Sequence, residues 1–443
     1  MNILLLGSGG REHALALKLS QSPLCKKLLI APGNAGTAQC GINKPFVTTD
    51  FEAVKECCRN EAIDMVIVGP EEPLVKGIVD YLKQEFGESL LIIGPSKEAA
   101  QLEGSKAFAK SFMQRHHIPT AAYKEFTSAN FDEGISYLRG RSLPIVLKAD
   151  GLAAGKGVII CQNHIEAISE LELMIQRCKF GEAGKRVIVE DFLSGIELSV
   201  FVITDGKNYL LLPEAKDYKR VGEGDKGLNT GGMGAISPVP FADDAFMKKI
   251  ITSIVEPTVK GLQKDGLDYK GFVFIGIMKV GDKPFVIEYN CRMGDPETEV
   301  VVPRIKNDLV ELLTATANGG LDSISLEVDD RCATTIVAVS GGYPNDYQKG
   351  FEIKGINNEI KGINNMGDDE YIFHMGTKEV DGKTVTAGGR VLCATALAAD
   401  LDEAINKSRD LIEAIEFEEK YFRRDIGFEF LPPLPEGEAE EQP

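Results

Sequence analysis

The residues whose types and spacing most clearly suggest chemistry lie in the stretch Lys148–Gly157, which reads KADGLAAGKG. Apolar runs flank it on both sides, so we expect a strand, a glycine-rich turn and a second strand. Backbone N–H groups at such a tip can close on an anion while a lysine supplies positive charge, which suits a polyphosphate. Gly157 follows Lys156 where a P-loop needs Ser or Thr. The glycines alone fit a tip without a ligand equally well, but Lys148 ends an apolar strand and needs a partner for its charge.

A second group of candidates lies at the end of a predicted strand at 284–288. Glu288 and Asn290 are two residues apart, so they point to the same face of a strand. A carboxylate and an amide oxygen are hard ligands that suit Mg²⁺ bridging phosphates, although strand alternation gives the shared face even without a metal. Arg292 falls on that face as well and could bind a carboxylate or a phosphate.

The N-terminal turn Gly7–Glu12 joins a predicted buried strand to an amphipathic helix. It is similar to a dinucleotide fingerprint, but Glu12 stands where GxGxxG has its third glycine, so NAD binding is disfavoured. What remains is a helix N-terminus with exposed amides plus Arg11, which suits one phosphate. The loop around Glu71 follows another strand of the same sheet, where either a ligand loop or a rigid turn fits.

Two polar stretches in the middle of the chain could together hold an anionic substrate: 214–220, with three cations, and the glycine-rich loop 229–235. A charge run is more often a solvated surface, whereas closely spaced glycines usually mark close backbone approach. Glu197 lies on a predicted strand, where a half-buried acid needs a partner such as ribose hydroxyls. Lys106 follows the predicted N-cap Ser105 and, on composition alone, would be a surface lysine.

The composition and charge of the chain limit the classes of protein to which it can belong. The chain has 443 residues, 43% of them hydrophobic and 26% charged, which is typical of a globular protein with about two to four domains. Its net charge of −18 disfavours a nucleic-acid partner. It has no basic leader and no apolar run near membrane-spanning length, so we expect a cytoplasmic protein. Nine cysteines without CxxC or Cys/His metal spacing indicate reduced, mostly buried thiols.

Several elements must position these residues. Strands and helices alternate over the first hundred residues, which predicts a doubly wound parallel α/β domain with one helix at 74–86. Strands around a helix at 164–178 predict a small unit, about 123–189, that carries the glycine-rich hairpin. Two further strands, at 272–280 and 284–288, predict the hairpin that carries Glu288.

The last part of the chain, from about 327, is predicted to form a mixed domain of strands and one helix. EIKGINN occurs there twice in tandem, at 352–358 and 359–365, which we interpret as a duplicated loop. His374 and Arg390 could face a ligand, but a structural role is favoured for both. The tail after 431 is rich in Pro and Glu and should be disordered.

Taken together, these stretches resemble the ATP-grasp superfamily and, within it, the phosphoribosylamine–glycine ligase (glycinamide ribonucleotide synthetase) family. The resemblance covers nearly the whole chain, and RxGDPE together with GxGGREHA is specific for this family among its relatives. The segments that carry it are GSGGREHA (7–14), APGNAGT (31–37), VGPEEPLVKG (68–77), QLEGSKAF (101–108), KADGLAAGKGV (148–158), NTGGMGA (229–235), EYNCRMGDPETE (288–299) and AGGRVL (387–392).

The resemblance implies an α/β and α+β multidomain fold. It consists of an N-terminal doubly wound parallel α/β substrate-binding domain at 1–104, an ATP-grasp fold of two lobes at 105–326, a small mixed α+β C-terminal domain at 327–431, and an acidic tail at 432–443. The implied activity, in purine biosynthesis, is the joining of 5-phosphoribosylamine to glycine with ATP converted to ADP and phosphate. Glycine's carboxylate would attack the γ-phosphoryl group, and the resulting glycyl phosphate would take the amine, so the protein supplies positioning and charge neutralisation.

Position by position, the resemblance implies that Lys106 and Lys148 contact the ATP phosphates while Gly155, Lys156 and Gly157 close over them. It assigns the adenine edge to Glu190, Asp191, Phe192 and Leu193, the ribose to Glu197, and Mg²⁺ or Mn²⁺ to Glu288 and Asn290. The expected catalytic residues are Arg292, Lys148 and Asp295. The expected substrate contacts are Gly9, Gly10, Arg11, Glu12, Glu71, Asp217, Lys219, Arg220, Asn229, Thr230, Gly231, Arg292, Gly294, Asp295 and Pro296.

The chain departs from the family pattern in places. Many relatives read QDHKR at 216–220, where this chain has KDYKR, so no role passes to a glutamine or histidine there; Met293 and Leu228 likewise replace phenylalanine and proline. We expect the single-function form, a monomer with small-molecule substrates and no nucleic-acid or membrane partner. Three rivals remain: a nicotinamide-dependent dehydrogenase, which Glu12 disfavours; a biotin- or bicarbonate-type carboxylase, which would need bicarbonate to release ADP; and a nucleotide sensor, which would not need acid and amide ligands beside an arginine.

Overall fold

The computed structural model of the chain describes residues 1–152, 157–356 and 369–431. Its N-terminal part has strands and helices in alternation, which confirms the predicted α/β order. They are β1 (Asn2–Gly7), α1 (Gly10–Ser20), β2 (Lys27–Pro32), α2 (Thr37–Cys40), β3 (Ile42–Asn43), α3 (Phe51–Asn60), β4 (Met65–Val68), α4 (Glu71–Lys76), α5 (Ile78–Phe86), β5 (Leu91–Pro95) and α6 (Gln101–Gly104). The strands pair in parallel in the order β3-β2-β1-β4-β5. Residues Ile3 to Leu6 are fully buried because both faces of a parallel sheet are covered.

The single helix predicted at 74–86 is wrong, since two helices, α4 and α5, occupy this stretch. Gly77 between them has a φ of +96°, and its N–H donates to the carbonyls of Pro73 at 3.1 Å and Leu74 at 3.0 Å. A left-handed glycine in this position ends a helix. Gly77 therefore separates α4 from α5. The first residues of α4, Glu71 and Glu72, line the cavity described below.

Helix α7 (Lys106–Arg115) follows and packs Phe112 and Met113 into the same core as Leu74 and Val79 of the N-terminal part. After it comes a small antiparallel lobe with β6 (Tyr123–Thr127), α8 (Phe131–Arg139), β7 (Ile145–Ala149), β8 (Val158–Cys161), α9 (His164–Ile175) and β9 (Arg186–Asp191). The sheet order is β6-β9-β7-β8, and α8 and α9 cover one face over a core that includes Phe126, Leu147 and Leu171. Lys148 on β7 pairs with Val158 on β8, so the glycine-rich stretch joins two strands as predicted.

The central part of the chain forms a second, larger antiparallel unit. It contains β10 (Ile196–Thr204), β11 (Tyr209–Leu211), β12 (Lys216–Asp217), β13 (Arg220–Gly222), β14 (Lys226–Asn229), β15 (Gly234–Ser237), α10 (Asp244–Ile250), α11 (Glu256–Lys264), β16 (Tyr269–Val280), β17 (Lys283–Asn290), α12 (Thr298–Val301) and α13 (Leu309–Asn318). Strand β16 pairs with β10, with β17 and, at Tyr269, with Pro95 of β5. The N-terminal parallel sheet and this antiparallel sheet are therefore one continuous nine-stranded sheet.

The C-terminal part packs a helix against a third sheet. Its elements are β18 (Cys332–Val339), β19 (Glu370–His374), β20 (Thr377–Val380), β21 (Lys383–Thr386), β22 (Arg390–Ala398) and α14 (Leu401–Glu413). The sheet order is β12-β15-β18-β22-β19, so two strands of the central part complete it. Because β12 carries Asp217 and β22 begins at Arg390, this shared sheet places C-terminal residues beside predicted substrate residues.

Some predictions fall outside the described residues, namely those for Gly155 and Lys156, for most of the EIKGINN duplication (357–368) and for the tail (432–443). All nine cysteines lie within the described residues and are free thiols, of which Cys178 alone is exposed. None of the helices in the described ranges combines the length and hydropathy that a membrane span requires.

Candidate active site

A cavity of about 850 Å³ lies where the N-terminal turn, the small lobe, the end of β17 and the start of β22 meet. Residues from many distant stretches of the chain reach it. The predicted site residues that line it are Gly9, Arg11, Glu12, Glu71, Lys106, Lys148, Gly157, Glu190, Asp217, Lys219, Thr230, Gly231, Glu288, Asn290, Arg292, Gly294 and Asp295.

One end of the cavity is dominated by buried lysines. The ammonium of Lys148 lies 3.0 Å from Oε2 of Glu190 and donates to the carbonyl of Ile287 at 3.1 Å. Oε1 of the same carboxylate lies 3.3 Å from the ammonium of Lys110 on α7. The position of Lys148 at the end of an apolar strand predicts a partner for its charge, and Glu190 is that partner. Lys110 is not among the predicted residues, because a lysine in the middle of a helix is most often a surface residue.

Lys106 is half-buried at the start of α7, where composition alone favoured a surface lysine. Its ammonium donates to the carbonyl of Gly151 at 3.3 Å, and burial lowers its pKa although Glu288 acts against this shift. Ser105 caps the helix as predicted by accepting from the N–H of Phe108 at 3.1 Å. Asp150 accepts from Ser105 at 2.9 Å, so the glycine-rich hairpin is bound to the start of this helix.

Glu288 and Asn290 line the cavity together, as their spacing on β17 predicts. Among the described residues, the Glu288 carboxylate makes no hydrogen bond and no ion pair. Oδ1 of Asn290 accepts one long hydrogen bond, of 3.4 Å, from Nη2 of Arg292. No group of three or more His, Cys, Asp or Glu side chains in the described ranges could hold a metal. Glu288 and Asn290 are the side chains that would hold a divalent ion here, since a carboxylate and an amide oxygen are hard ligands that suit Mg²⁺.

Arg292 lies between two carboxylates at the end of β17. Its Nη2 is 2.8 Å from Oε1 of Glu103, and its Nε is 3.3 Å from Oε2 of Glu71. The other oxygen of Glu103 accepts from the N–H of Cys291 at 2.7 Å, so this buried acid fixes the chain where β17 ends. Glu103 was not predicted, since its partners lie 188 positions away in the sequence. Arg292 reaches the cavity with its guanidinium already paired on two sides.

The N-terminal turn is organised around the buried carboxylate of Glu12. It accepts from the N–H of Gly9 at 2.6 Å and from Nε of Arg11 at 2.6 Å. Gly7 has a φ of +131°, and a Cβ there would lie 2.4 Å from the Glu12 side chain. The carboxylate of Glu12 therefore fills the space beside Gly7, the first glycine of the turn. The N–H of Arg11 donates to Asp295 at 3.3 Å, which joins the turn to the 292–296 loop.

The opposite end of the cavity is rich in carboxylates. The ammonium of Lys219 forms ion pairs with Glu197 and, at 3.4 Å, with Asp217. Burial acts to lower its pKa, but these two acids hold the pKa well above its usual value. Glu297, which accepts from Ser199 at 3.1 Å, lies nearby. Burial, with the charge of Asp217, raises the pKa of Glu297 to about 7.

Arg390 brings the C-terminal part into this end of the cavity. Its Nη1 lies 3.0 Å from Oδ1 of Asp295 and donates to the carbonyls of Asp295 and Gly231, both at 2.8 Å. The hydroxyl of Tyr343 accepts from the N–H of Gly231 at 3.0 Å. Two substrate loops predicted separately from the sequence are thus joined by residues of a third region.

Comparisons with known proteins agree with this geometry. The phosphoribosylglycinamide synthetase family is described by three domain profiles, and all three match the chain in order: the N domain at residues 1–103, the ATP-grasp (A) domain at 104–298 and the C domain at 333–429. The chain belongs to the phosphoribosylglycinamide synthetase family. The family and the fold class predicted from the motifs are therefore confirmed.

Individual relatives of the phosphoribosylglycinamide synthetase family match over almost their whole length. The phosphoribosylamine–glycine ligase of Haemophilus influenzae is 47% identical over 432 residues, covering 97% of this chain and 98% of the relative. That of Escherichia coli O157:H7 is 46% identical over 433 residues, with the same coverage of 97% and 98%. The crystal structure of the Thermotoga maritima ligase superposes with a TM-score of 0.81 at 35% identity, covering 96% of this chain and 100% of that one.

The structural similarity to a more distant protein, a biotin carboxylase domain, concerns the fold alone. The biotin carboxylase domain of Hydrogenobacter thermophilus 2-oxoglutarate carboxylase has a TM-score of 0.73 at 15% identity, covering 95% of this chain and 91% of that one. This likeness agrees with the ATP-grasp architecture that the phosphoribosylglycinamide synthetase family shares with such carboxylases. It carries no argument about which acid is activated in this chain.

Several residues predicted from the family resemblance do not line the cavity. Gly10 lies beneath the turn, where a Cβ would come within 2.2 Å of the buried Glu299. The side chain of Asp191 points away to pair with Arg141, and Arg220 donates to the carbonyl of Gly227 at 2.8 Å within its own hairpin. The others are Phe192, Leu193, Glu197, Asn229 and Pro296. Their roles stay predictions.

Proposed function

We propose that this chain is an ATP-dependent carbon–nitrogen ligase that joins 5-phosphoribosylamine and glycine to give glycinamide ribonucleotide, ADP and phosphate. The observation that carries the proposal is the distribution of charged side chains along one cavity of about 850 Å³. Lysines occupy one end, the pair Glu288 and Asn290 lies between, and carboxylates with Arg390 and Lys219 occupy the other end. Membership of the family, whose relatives bear this activity in their names, supports the same assignment.

The lysine end suits the triphosphate. Lys106 and Lys148 would contact phosphate oxygens, and Glu190 with the start of the following loop would face the adenine. Glu288 and Asn290 would hold Mg²⁺ or Mn²⁺, which when bound would neutralise charge on the phosphates. In this arrangement the lysines orient the γ-phosphoryl group toward the acidic end, where both amine-bearing substrates would lie.

The reaction requires an activated acid, since a carboxylate and an amine do not condense unaided in water. A glycine carboxylate oxygen would attack the γ-phosphorus as the bond to ADP breaks, giving glycyl phosphate. The amine of phosphoribosylamine would then attack the carbonyl carbon, lose a proton, and expel phosphate. That phosphate would carry one oxygen that came from glycine.

Two measurements on the purified protein test this proposal. With oxygen-18-labelled glycine, Mg·ATP and the amine generated in situ, we expect the amide product, ADP and phosphate that carries one labelled oxygen. Absence of the amide would overturn the ligase assignment, and amide formed with unlabelled phosphate would overturn the glycyl phosphate step. Replacement of glycine by bicarbonate is expected to give no ADP above background, and bicarbonate-dependent ADP release would favour the carboxylase rival.

We propose further that the chain acts as a monomer, because the N-terminal, central and C-terminal parts of one chain together line the cavity. Light scattering at the concentrations used for the activity measurement tests this. A dimer mass, with specific activity that falls on dilution, would contradict it.

A further inference from the structure

Lys110 is a buried lysine in the nucleotide half of the cavity to which neither the sequence motifs nor the proposed reaction gives a role. We propose that Lys110 is a positioning residue that keeps the Glu190 carboxylate paired, so that Lys148 can leave Glu190 for a phosphate of the bound nucleotide. This inference rests on the proposed function only in that it needs a nucleotide in this cavity.

The first observation is that two lysines share one carboxylate. Lys148, Lys110 and Glu190 are all buried, with 5%, 2% and 5% of their surfaces exposed. Each ammonium lies nearest a different oxygen: Lys148 is 3.0 Å from Oε2 and Lys110 is 3.3 Å from Oε1. Two positive charges and one negative charge leave a buried excess of positive charge at the cavity wall, which an incoming anion would neutralise.

The second observation is that the two lysines are held differently. Lys110 donates to Oγ1 of Thr120 at 2.8 Å and to the carbonyl of Ala121 at 3.3 Å, in the segment that leads into the small lobe. Lys148 has one other partner among the described residues, the carbonyl of Ile287 at 3.1 Å, which directly precedes the metal-site candidate Glu288. Lys148 is therefore the lysine that can turn toward a phosphate held beside Glu288, and Lys110 is the lysine that stays.

The third observation concerns charge. A buried carboxylate that loses its only counter-ion is strongly destabilised, so Lys148 could not leave Glu190 without a second cation. Lys110 is that cation. Burial and the charge of Lys148, opposed by the charge of Glu190, lower the pKa of Lys110 to about 8.

A double-mutant cycle on nucleotide binding tests the proposal. The affinity for Mg·ATP is measured by calorimetry, without glycine or amine, for wild type, Lys110→Met, Glu190→Gln and the double variant. We expect Lys110→Met to weaken binding about 30-fold in the wild-type background but less than about threefold in the Glu190→Gln background, because a neutral amide needs no counter-ion. Lys110→Gln, which keeps a donor toward Thr120, should match Lys110→Met if the latter folds poorly. Lys124→Met, which removes an exposed lysine paired with Glu133, is the control and should change nothing.

Three outcomes overturn the proposal. Unchanged affinity in a folded Lys110→Met or Lys110→Gln variant would mean that Glu190 does not depend on Lys110. Equal losses in both backgrounds would mean that Lys110 contacts the nucleotide itself. A lowered melting temperature with unchanged affinity would mean a purely structural role. Because binding is measured without the other substrates, failure of amide synthesis would count against the proposed reaction and not against this inference.

Discussion

At one end of the cavity two lysines, Lys148 and Lys110, share the carboxylate of Glu190 beside a third lysine, Lys106, whereas at the other end Asp217, Glu297 and Asp295 outnumber the cations that pair with them. The chain as a whole carries a net charge of −18 and would repel a polyphosphate. The lysine end shows how such a protein can still attract one, because burial strengthens a local field that the distant surface charges hardly reach. The carboxylate end suits substrates that carry amines. The comparison predicts that substitutions at the two ends affect different kinetic constants.

We expect the largest effect from a substitution of Glu288, which lies between the two ends of the cavity. Glu288→Ala should lower kcat about 1000-fold, because it removes the charged half of the oxygen pair that would hold the divalent ion. Turnover is measured with saturating Mg·ATP, and circular dichroism checks that the fold is kept. The matched control is Glu98→Ala, which removes an exposed glutamate that does not line the cavity. A near-normal rate in a folded Glu288→Ala protein would refute the metal assignment.

At the lysine end, Lys148→Ala should lower kcat/KM for ATP about 100-fold, with both a higher KM and a lower kcat, because a charge on the phosphates is lost. The KM for glycine should stay within about twofold of wild type. Steady-state kinetics with each substrate varied in turn gives both constants. A change in the glycine KM as large as that for ATP would remove the functional division between the two ends.

The lysine end could largely be predicted from the sequence because its signals are local. A glycine-rich turn between two apolar runs and the alternation of Glu288 with Asn290 along one strand need only short stretches of chain. Lys110 was not predicted because its partner Glu190 lies 80 positions later, on strand β9, and a lysine inside a helix otherwise indicates a surface position. Family resemblance identified Glu190, but nothing in the sequence connects it with Lys110.

The carboxylate end was less predictable because its contacts are assembled by tertiary structure. Arg390 follows a short glycine pair and has no neighbouring motif that points to Asp295, which lies 95 positions earlier. The shared sheet β12-β15-β18-β22-β19 brings them together, and strand pairing at such sequence separation cannot be inferred from the periodicity of either strand. The expectation of a structural role for Arg390 was incomplete, since it lines the cavity as well as joining two loops.

Arg390→Lys tests whether the carboxylate end of the cavity acts on glycine and the amine but not on ATP. Lysine keeps the charge but cannot hold Gly231 and Asp295 with one planar group. We expect kcat/KM for glycine and for the amine to fall about tenfold while the KM for ATP stays within about twofold. Lys383→Arg, at an exposed ion pair with Glu352, serves as the control. If ATP were affected as strongly as glycine, Arg390 would act on the whole site and not on its acidic end.

The smallest effect concerns a contact between two buried histidines, His13 of helix α1 and His374 of strand β19. The N–H of His374 donates to Nδ1 of His13 at 2.8 Å, and the two rings lie 5.5 Å apart. Burial lowers the pKa of His374 to about 4 and also lowers that of His13. Between pH 6.5 and 4 the unfolded chain therefore binds more protons than the folded one, so acid destabilises the fold. For His374 this reaches about 3 kcal/mol once the pH falls below both pKa values.

His374→Gln should remove that share of the pH dependence. Its free energy of unfolding, from denaturant titrations at pH 7.5 and 5.5, should fall about 1 kcal/mol less over this interval than that of wild type. His117→Asn, at an exposed histidine with a φ of +55°, should leave the wild-type difference unchanged. An equal loss between the two pH values in His374→Gln and wild type would mean that the contact between the N-terminal turn and the C-terminal part does not titrate.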